Sequence, residues 1–255
     1  MTGSAGVLAV VLFEVALGGL APLWAAPLWG VVRPGFFKLA GATVLASAVL
    51  AWLSLRADLA ASGAAGHAAA AWLVAFGGAL LAWQLALYAR LALSRWLGIA
   101  AVVPGLGAAF ELARLSGRPA LGLLALATGA LFLGTTVDGL LLGHWYLVDR
   151  RLSNRPIAAL AAWFLAGVGA AVVSAVLGGA RGAAANRSLS PLLAVPDLTI
   201  WLALGSVLLC GLIAVFIRVL VRSGSIQAAT GMFYLAVIMA LSAEFAAKVY
   251  FFPLG

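Results

Sequence analysis

The chain has 255 residues, of which 65 % are hydrophobic and only 9 % are charged, with a net charge of +8. Soluble domains have roughly 45–50 % apolar and about 25 % charged residues, so the composition excludes a water-soluble globule and a disordered chain. The single cysteine, Cys210, excludes an internal disulfide, a thiolate iron–sulfur cluster and a cysteine-rich zinc site.

Long apolar runs divide the sequence into membrane-spanning segments. A bilayer core of ~30 Å requires about 20 apolar helical residues, and runs of that length in lipid are helices because each must satisfy its own backbone hydrogen bonds. Eight runs qualify: residues 5–24, 36–55, 69–93, 96–115, 119–148, 156–177, 198–220 and 226–251. The prediction is therefore an all-α polytopic bundle of about eight transmembrane helices with no soluble domain.

The connections between these runs are short. Pro104 predicts a kink within the fourth run, and His67 is expected in a glycine–alanine loop between the second and third. The longest connection, residues 181–197, is predicted to be a surface loop.

Lysine and arginine are distributed unequally between the two sides of the predicted bundle, nine on one side and six on the other. Because positive residues accumulate on the cytoplasmic side, both termini are expected outside the cytoplasm. We expect an integral protein of a prokaryotic cytoplasmic membrane, in contact with the lipid bilayer. Nucleic acid is not expected as a partner, because there is no basic surface domain with stacking side chains.

Acidic residues inside apolar helices are candidates for function, because a charge at mid-depth costs at least ~2.5–3.5 kcal/mol. Glu14 and Asp138 are each interpreted as a proton carrier or as a polar group that hydrogen-bonds a neighbouring helix. Glu244 precedes Lys248 by four residues, which favours a structural ion pair on one helix face, with the lysine reaching toward the interface.

The end of the fifth run places a histidine and two amphipathic aromatic residues, His144, Trp145 and Tyr146, at one membrane boundary. Such residues commonly form an interfacial belt. The alternative is a site for a quinone, menaquinone or ubiquinone, which needs aromatic walls, hydrogen-bond donors and a titratable group. His144 can donate and titrate near neutral pH.

Three polar residues near the start of the last run, Gln227, Thr230 and Tyr234, share a helix face at the same predicted depth as His144. They are interpreted either as the second wall of that site or as an ordinary polar helix start. A haem b held by His144 and Met232 is a less favoured hypothesis.

The segment from Glu244 to Phe252 contains a glutamate, a basic residue and paired aromatic residues. It resembles the end of the eight-helix membrane-anchor subunits of molybdenum-containing dimethyl sulfoxide and polysulfide reductases. The resemblance implies electron exchange between quinone and redox subunits that carry iron–sulfur clusters. That family has a quinone-site histidine near the end of an early helix, where this chain reads Ser54-Leu55-Arg56-Ala57-Asp58. The family's site residues are therefore not transferred to this chain.

Three functions remain open from the sequence. The first is a quinone-interacting anchor subunit of a respiratory or related electron-transfer complex, whose partner subunits carry iron–sulfur clusters or haems. The second is a transporter of a small solute or ion, with Glu14, Asp138, Gln84 and the kink at Pro104 around a midplane site. The third is a structural scaffold in a membrane assembly. In none of them is the chain expected to be catalytic alone.

Overall fold

A computed structural model of the protein describes residues 3–90, 92–149, 151–179 and 198–251. These residues form helices and no β-sheet, and eight segments are long and apolar enough to cross a membrane. The predicted all-α membrane bundle is confirmed. The helices are α1 (Gly3–Leu20), α2 (Pro22–Ala25), α3 (Pro34–Ala61), α4 (Gly63–Tyr88), α5 (Ser94–Ala100), α6 (Val102–Leu115), α7 (Pro119–Val148), α8 (Arg155–Gly179), α9 (Leu198–Arg222) and α10 (Ile226–Phe251).

The second span ends later than the hydropathy pattern predicts, and the third span begins and ends earlier. α3 continues through Arg56 and Asp58 to Ala61, and α4 begins directly after Ser62. The loop expected around His67 is wrong, because His67 lies within the first turns of α4. Alanine is the best helix former, so this alanine-rich segment is helical although it is less apolar than its neighbours. The predicted loop 181–197 falls outside the described residues.

The kink expected near Pro104 is confirmed as a break between α5 and α6 at Ala101. Proline lacks a backbone N–H, and its ring clashes with the carbonyl four residues earlier, which here belongs to Ala100. The fourth span is therefore made of two short helices.

Consecutive spans alternate in direction, which gives the bundle two sides. The turns at Ser62 and Gly117 lie on one side, named here the Ser62 side. The connections at residues 26–33, at 149–154 and at Ser223 lie on the other, the Ser223 side, where an Arg33–Asp149 ion pair of 3.1 Å joins the first two of them.

α1 is the central helix, because 83 % of its membrane-spanning window is buried by the rest of the chain. It packs against α3, α7 and α10, and it runs parallel to α7. A Cβ atom added at Gly134 would overlap the backbone of Gly18. The two helices are therefore in direct backbone contact at these glycines, which brings side chains of α1 against those of α7 and α10.

Candidate functional site

His144 and Tyr234 form a hydrogen-bonded pair between α7 and α10 near the Ser223 side. The Tyr234 hydroxyl lies 2.8 Å from His144 Nε2, and the two rings meet edge to face with centroids 5.3 Å apart. Both side chains are exposed, Tyr234 by 47 %. The structure thus brings together one candidate residue from α7 and one from α10. Both side chains lie on the outer surface of the helix bundle.

The other two candidates on α10 differ in their surroundings. Gln227 is exposed. Thr230 is buried against Gly143, and its hydroxyl donates to the carbonyl of Ile226 at 2.9 Å. Thr230 therefore packs between α7 and α10, and its hydroxyl is hydrogen-bonded to a backbone carbonyl of α10.

Trp145 and Tyr146 do not lie on the side of the pair. Successive residues in a helix are rotated by about 100°, so the three neighbours 144–146 meet three different parts of the chain. Trp145 packs against Gly35 and Phe36 of α3. The Tyr146 hydroxyl donates to the Ser153 carbonyl at 2.6 Å, which ties the end of α7 to the connection before α8.

Three buried charged residues, Glu14, Glu244 and Lys248, form a cluster that is named here the triad. Lys248 Nζ lies 2.8 Å from Glu14 Oε1 and 2.8 Å from Glu244 Oε2. It also donates to the Ala125 carbonyl of α7 at 2.9 Å. The predicted Glu244–Lys248 pair is confirmed, but the lysine faces the core, with 1 % of the residue exposed, and does not reach toward the interface.

Gly129 on α7 makes room for the triad. A Cβ atom at this position would overlap Glu14 Oε1 and lie 2.7 Å from Glu244 Oε2. Both carboxylates therefore contact the α7 backbone at Gly129, where no side chain is present. A larger residue at position 129 would separate the carboxylates from Lys248.

Asp138 is fully buried, and neither of its side-chain oxygens has a hydrogen-bond partner among the described residues. A Cβ atom at Gly19 of α1 would lie 3.7 Å from Asp138 Oδ1. The neighbouring hydroxyls of Thr135 and Thr136 donate to backbone carbonyls one turn earlier, including that of Phe132. Neither threonine hydroxyl therefore donates to the Asp138 carboxyl group.

These groups follow one another along α7. At 1.5 Å per residue, Gly129 and Asp138 are separated by about 14 Å and Asp138 and His144 by about 9 Å along the helix axis. The triad lies in the half of the membrane near the Ser62 side. The His144–Tyr234 pair lies at the opposite boundary, with Asp138 between them.

The sequence analysis did not identify the contact of Glu111, and it placed Gln84 in a different environment. Glu111 of α6 is buried and pairs with Arg114 at 3.0 Å. The three-residue spacing of the two is a signal that would have identified this pair. Gln84, expected near a midplane site, donates to the Lys38 carbonyl at 2.9 Å and joins α4 to α3.

Within the described ranges, no group of three histidine, cysteine, aspartate or glutamate residues could hold a metal ion. No protein-family model, curated protein or solved structure matches the chain.

Proposed function

We propose that the chain is the membrane-anchor subunit of a respiratory or related electron-transfer complex and that it binds a quinone, menaquinone or ubiquinone, at His144 and Tyr234. The observation that carries the proposal is the exposed, hydrogen-bonded pair between α7 and α10. The membrane is a prokaryotic cytoplasmic membrane, and both termini lie outside the cytoplasm.

The chemistry of the pair suits a quinone headgroup. An imidazole and a phenol can each donate a hydrogen bond to a carbonyl oxygen. Because the pair is open outward, a headgroup can approach from the lipid while its apolar tail stays among the acyl chains. With one cysteine and two histidines in the sequence, the electrons are expected from partner subunits that carry iron–sulfur clusters or haems.

The test uses the complex that co-purifies with the chain in mild detergent. His144→Ala and Tyr234→Phe should each lower quinone-linked turnover about five- to tenfold, since a lost hydrogen bond to a bound group is worth about 1–1.5 kcal/mol. Tyr146→Phe is the matched control, because it removes the same hydroxyl from a tyrosine whose bond goes to the Ser153 carbonyl. Its turnover should be that of the unmodified complex.

Normal quinone turnover in both site variants would contradict the proposal. So would purification of the chain without a redox partner, together with thermal stabilisation by a polar solute or ion and none by a short-tailed quinone. That second result would favour the transporter.

A further inference from the structure

We infer that Glu14, Glu244 and Lys248 form a binding site for one exchangeable proton, shared by the two carboxyl groups, in the membrane half opposite the His144–Tyr234 pair. The inference does not depend on quinone binding. It concerns a different cluster of side chains, and its test reads the protonation state directly.

The first argument is the charge of the cluster. With all three groups ionised, the triad has a net charge of −1 in a site where Glu14 is fully buried and Glu244 and Lys248 are at most 4 % exposed. An uncompensated charge inside a bilayer is strongly unfavourable. One bound proton makes the triad neutral and removes this cost.

The second argument is the arrangement around the ammonium group. Lys248 Nζ donates to Glu244 Oε2 at 2.8 Å and to the Ala125 carbonyl at 2.9 Å, and it forms an ion pair with Glu14 Oε1 at 2.8 Å. An ammonium group has three N–H donors, so these contacts stabilise its charged form. The exchangeable proton therefore belongs to the carboxyl groups and not to the amine.

The third argument is the proximity of the carboxyl groups to each other. Both contact the same Nζ atom at 2.8 Å, so those two oxygens are no farther apart than twice that distance. Both also rest against Gly129. Two carboxyl groups in one dry site repel each other when both are ionised, and they share a proton for that reason.

Among the described residues, Lys248 is the one cation within ion-pair distance of Glu14 or Glu244. Glu111 and Arg114 of α6 are paired with each other, and α8 has no charged residue after Arg155 in its described part. Cys210 of α9 is a further titratable neighbour, near enough to Glu244 to interact with it electrostatically. Asp138 is about 14 Å farther along α7 than Gly129.

The position of the triad also assigns the side from which the proton comes. Ala125 is six residues from the start of α7 on the Ser62 side, about 9 Å along the axis. The backbone contact between Gly18 and Gly134 lies on the other side of the triad, toward Asp138. Water on the Ser62 side is therefore the nearer source of the proton, whose transfer converts a carboxylate into a carboxylic acid with no other bond changed.

Infrared spectroscopy of the protein in lipid nanodiscs tests this inference. The chain has three glutamates, Glu14, Glu111 and Glu244, so labelling glutamate with ¹³C shifts the carboxylic acid band of these residues alone. At neutral pH we expect one protonated glutamate per chain, whose band moves in D₂O and disappears in alkaline buffer with the loss of a single proton.

The variants give a pattern that a merely structural cluster would not produce. Glu14→Gln and Glu244→Gln should each abolish the labelled band, because one carboxylate then faces one ammonium. Lys248→Met should double it, because both carboxyl groups then need a proton. Glu111→Gln and Asp138→Asn are the controls and should leave it unchanged.

No protonated glutamate in the unmodified protein would overturn the inference, and this measurement requires no variant to fold. A band that survives both glutamine substitutions, with the helical circular dichroism retained, would overturn it equally.

Discussion

Tyr146 and Tyr234 illustrate how one side chain takes two different roles at the same membrane boundary. The Tyr146 ring is buried at the end of α7, and its hydroxyl is bonded to a backbone carbonyl. The Tyr234 ring is about half exposed, and its hydroxyl faces the exposed imidazole of His144. The first tyrosine maintains the fold, whereas the second is available to a ligand.

Removal of the two hydroxyls should therefore change the free energy of unfolding by different amounts. Tyr146→Phe leaves the Ser153 carbonyl without its donor, and we expect it to lower the free energy of unfolding by about 1 kcal/mol. Tyr234→Phe should change it by less than about 0.5 kcal/mol, because the group is on the surface. Thermal unfolding of both variants in the same detergent measures the difference, and equal losses would contradict these roles.

The contacts of the candidate site were predictable where the partners are close in the sequence or lie at a similar depth in the predicted topology. The four-residue spacing of Glu244 and Lys248 identified that pair, because residues this far apart lie on one helix face. Glu14 has no cation within a helix turn, and its partner comes from the last helix. The contact between His144 and a residue of α10 was expected, because the predicted topology places them at a similar depth. A run of aromatic residues at a membrane boundary does not show that Trp145 and Tyr146 point to other parts of the chain. Their directions follow from the rotation of about 100° between successive helix residues.

At the scale of helices, the contact between α1 and α7 depends on glycine at two positions. Gly18 and Gly134 place two backbones side by side, as small residues allow between membrane helices. Gly78 of α4, by contrast, is exposed and has no atom within 4 Å of an added Cβ.

Alanine substitution should separate these two kinds of glycine. Gly134→Ala forces the two backbones apart, and we expect it to lower the free energy of unfolding by about 3 kcal/mol. Gly78→Ala should leave it unchanged or raise it by up to about 1 kcal/mol, since alanine is the better helix former. Unfolding titrations in mixed detergent micelles measure both, and tolerance of Gly134→Ala would show that α1 and α7 are less closely packed.

Helix existence was predictable because hydropathy and length determine which segments enter a bilayer, and all eight spans were identified. The break at Ala101 was also predictable, since proline acts locally. The tight turn at Ser62 was not predictable, because the polar residues Arg56, Asp58 and His67 suggested that the apolar region ends before it. Helix formation depends on backbone propensity, so both helices continue through these polar residues.

At the scale of the whole molecule, an even number of spans places both ends of the described chain on the Ser62 side. The native Cys210 is buried, so the unmodified chain should react little with thiol reagents. Ser62 and Ser223 are both exposed and lie on opposite sides.

Cysteine labelling in intact cells tests this topology. Ser62→Cys should react with a membrane-impermeant maleimide added outside, whereas Ser223→Cys should react only after the cells are opened, because the Ser223 side has the larger number of positive residues. The reverse pattern would place the termini in the cytoplasm, and labelling of both positions from one side would contradict the eight-span arrangement.

The ion pair between Glu14 and Lys248 also has a consequence for biosynthesis. The acid is in α1 and its cationic partner is in α10, with α2 to α9 between them in the sequence. Because synthesis runs from α1 toward α10, the nascent chain must hold this carboxyl group without its counter-ion until α10 has been made. The contact forms only when α10 docks, so this late packing step gives the acid its partner.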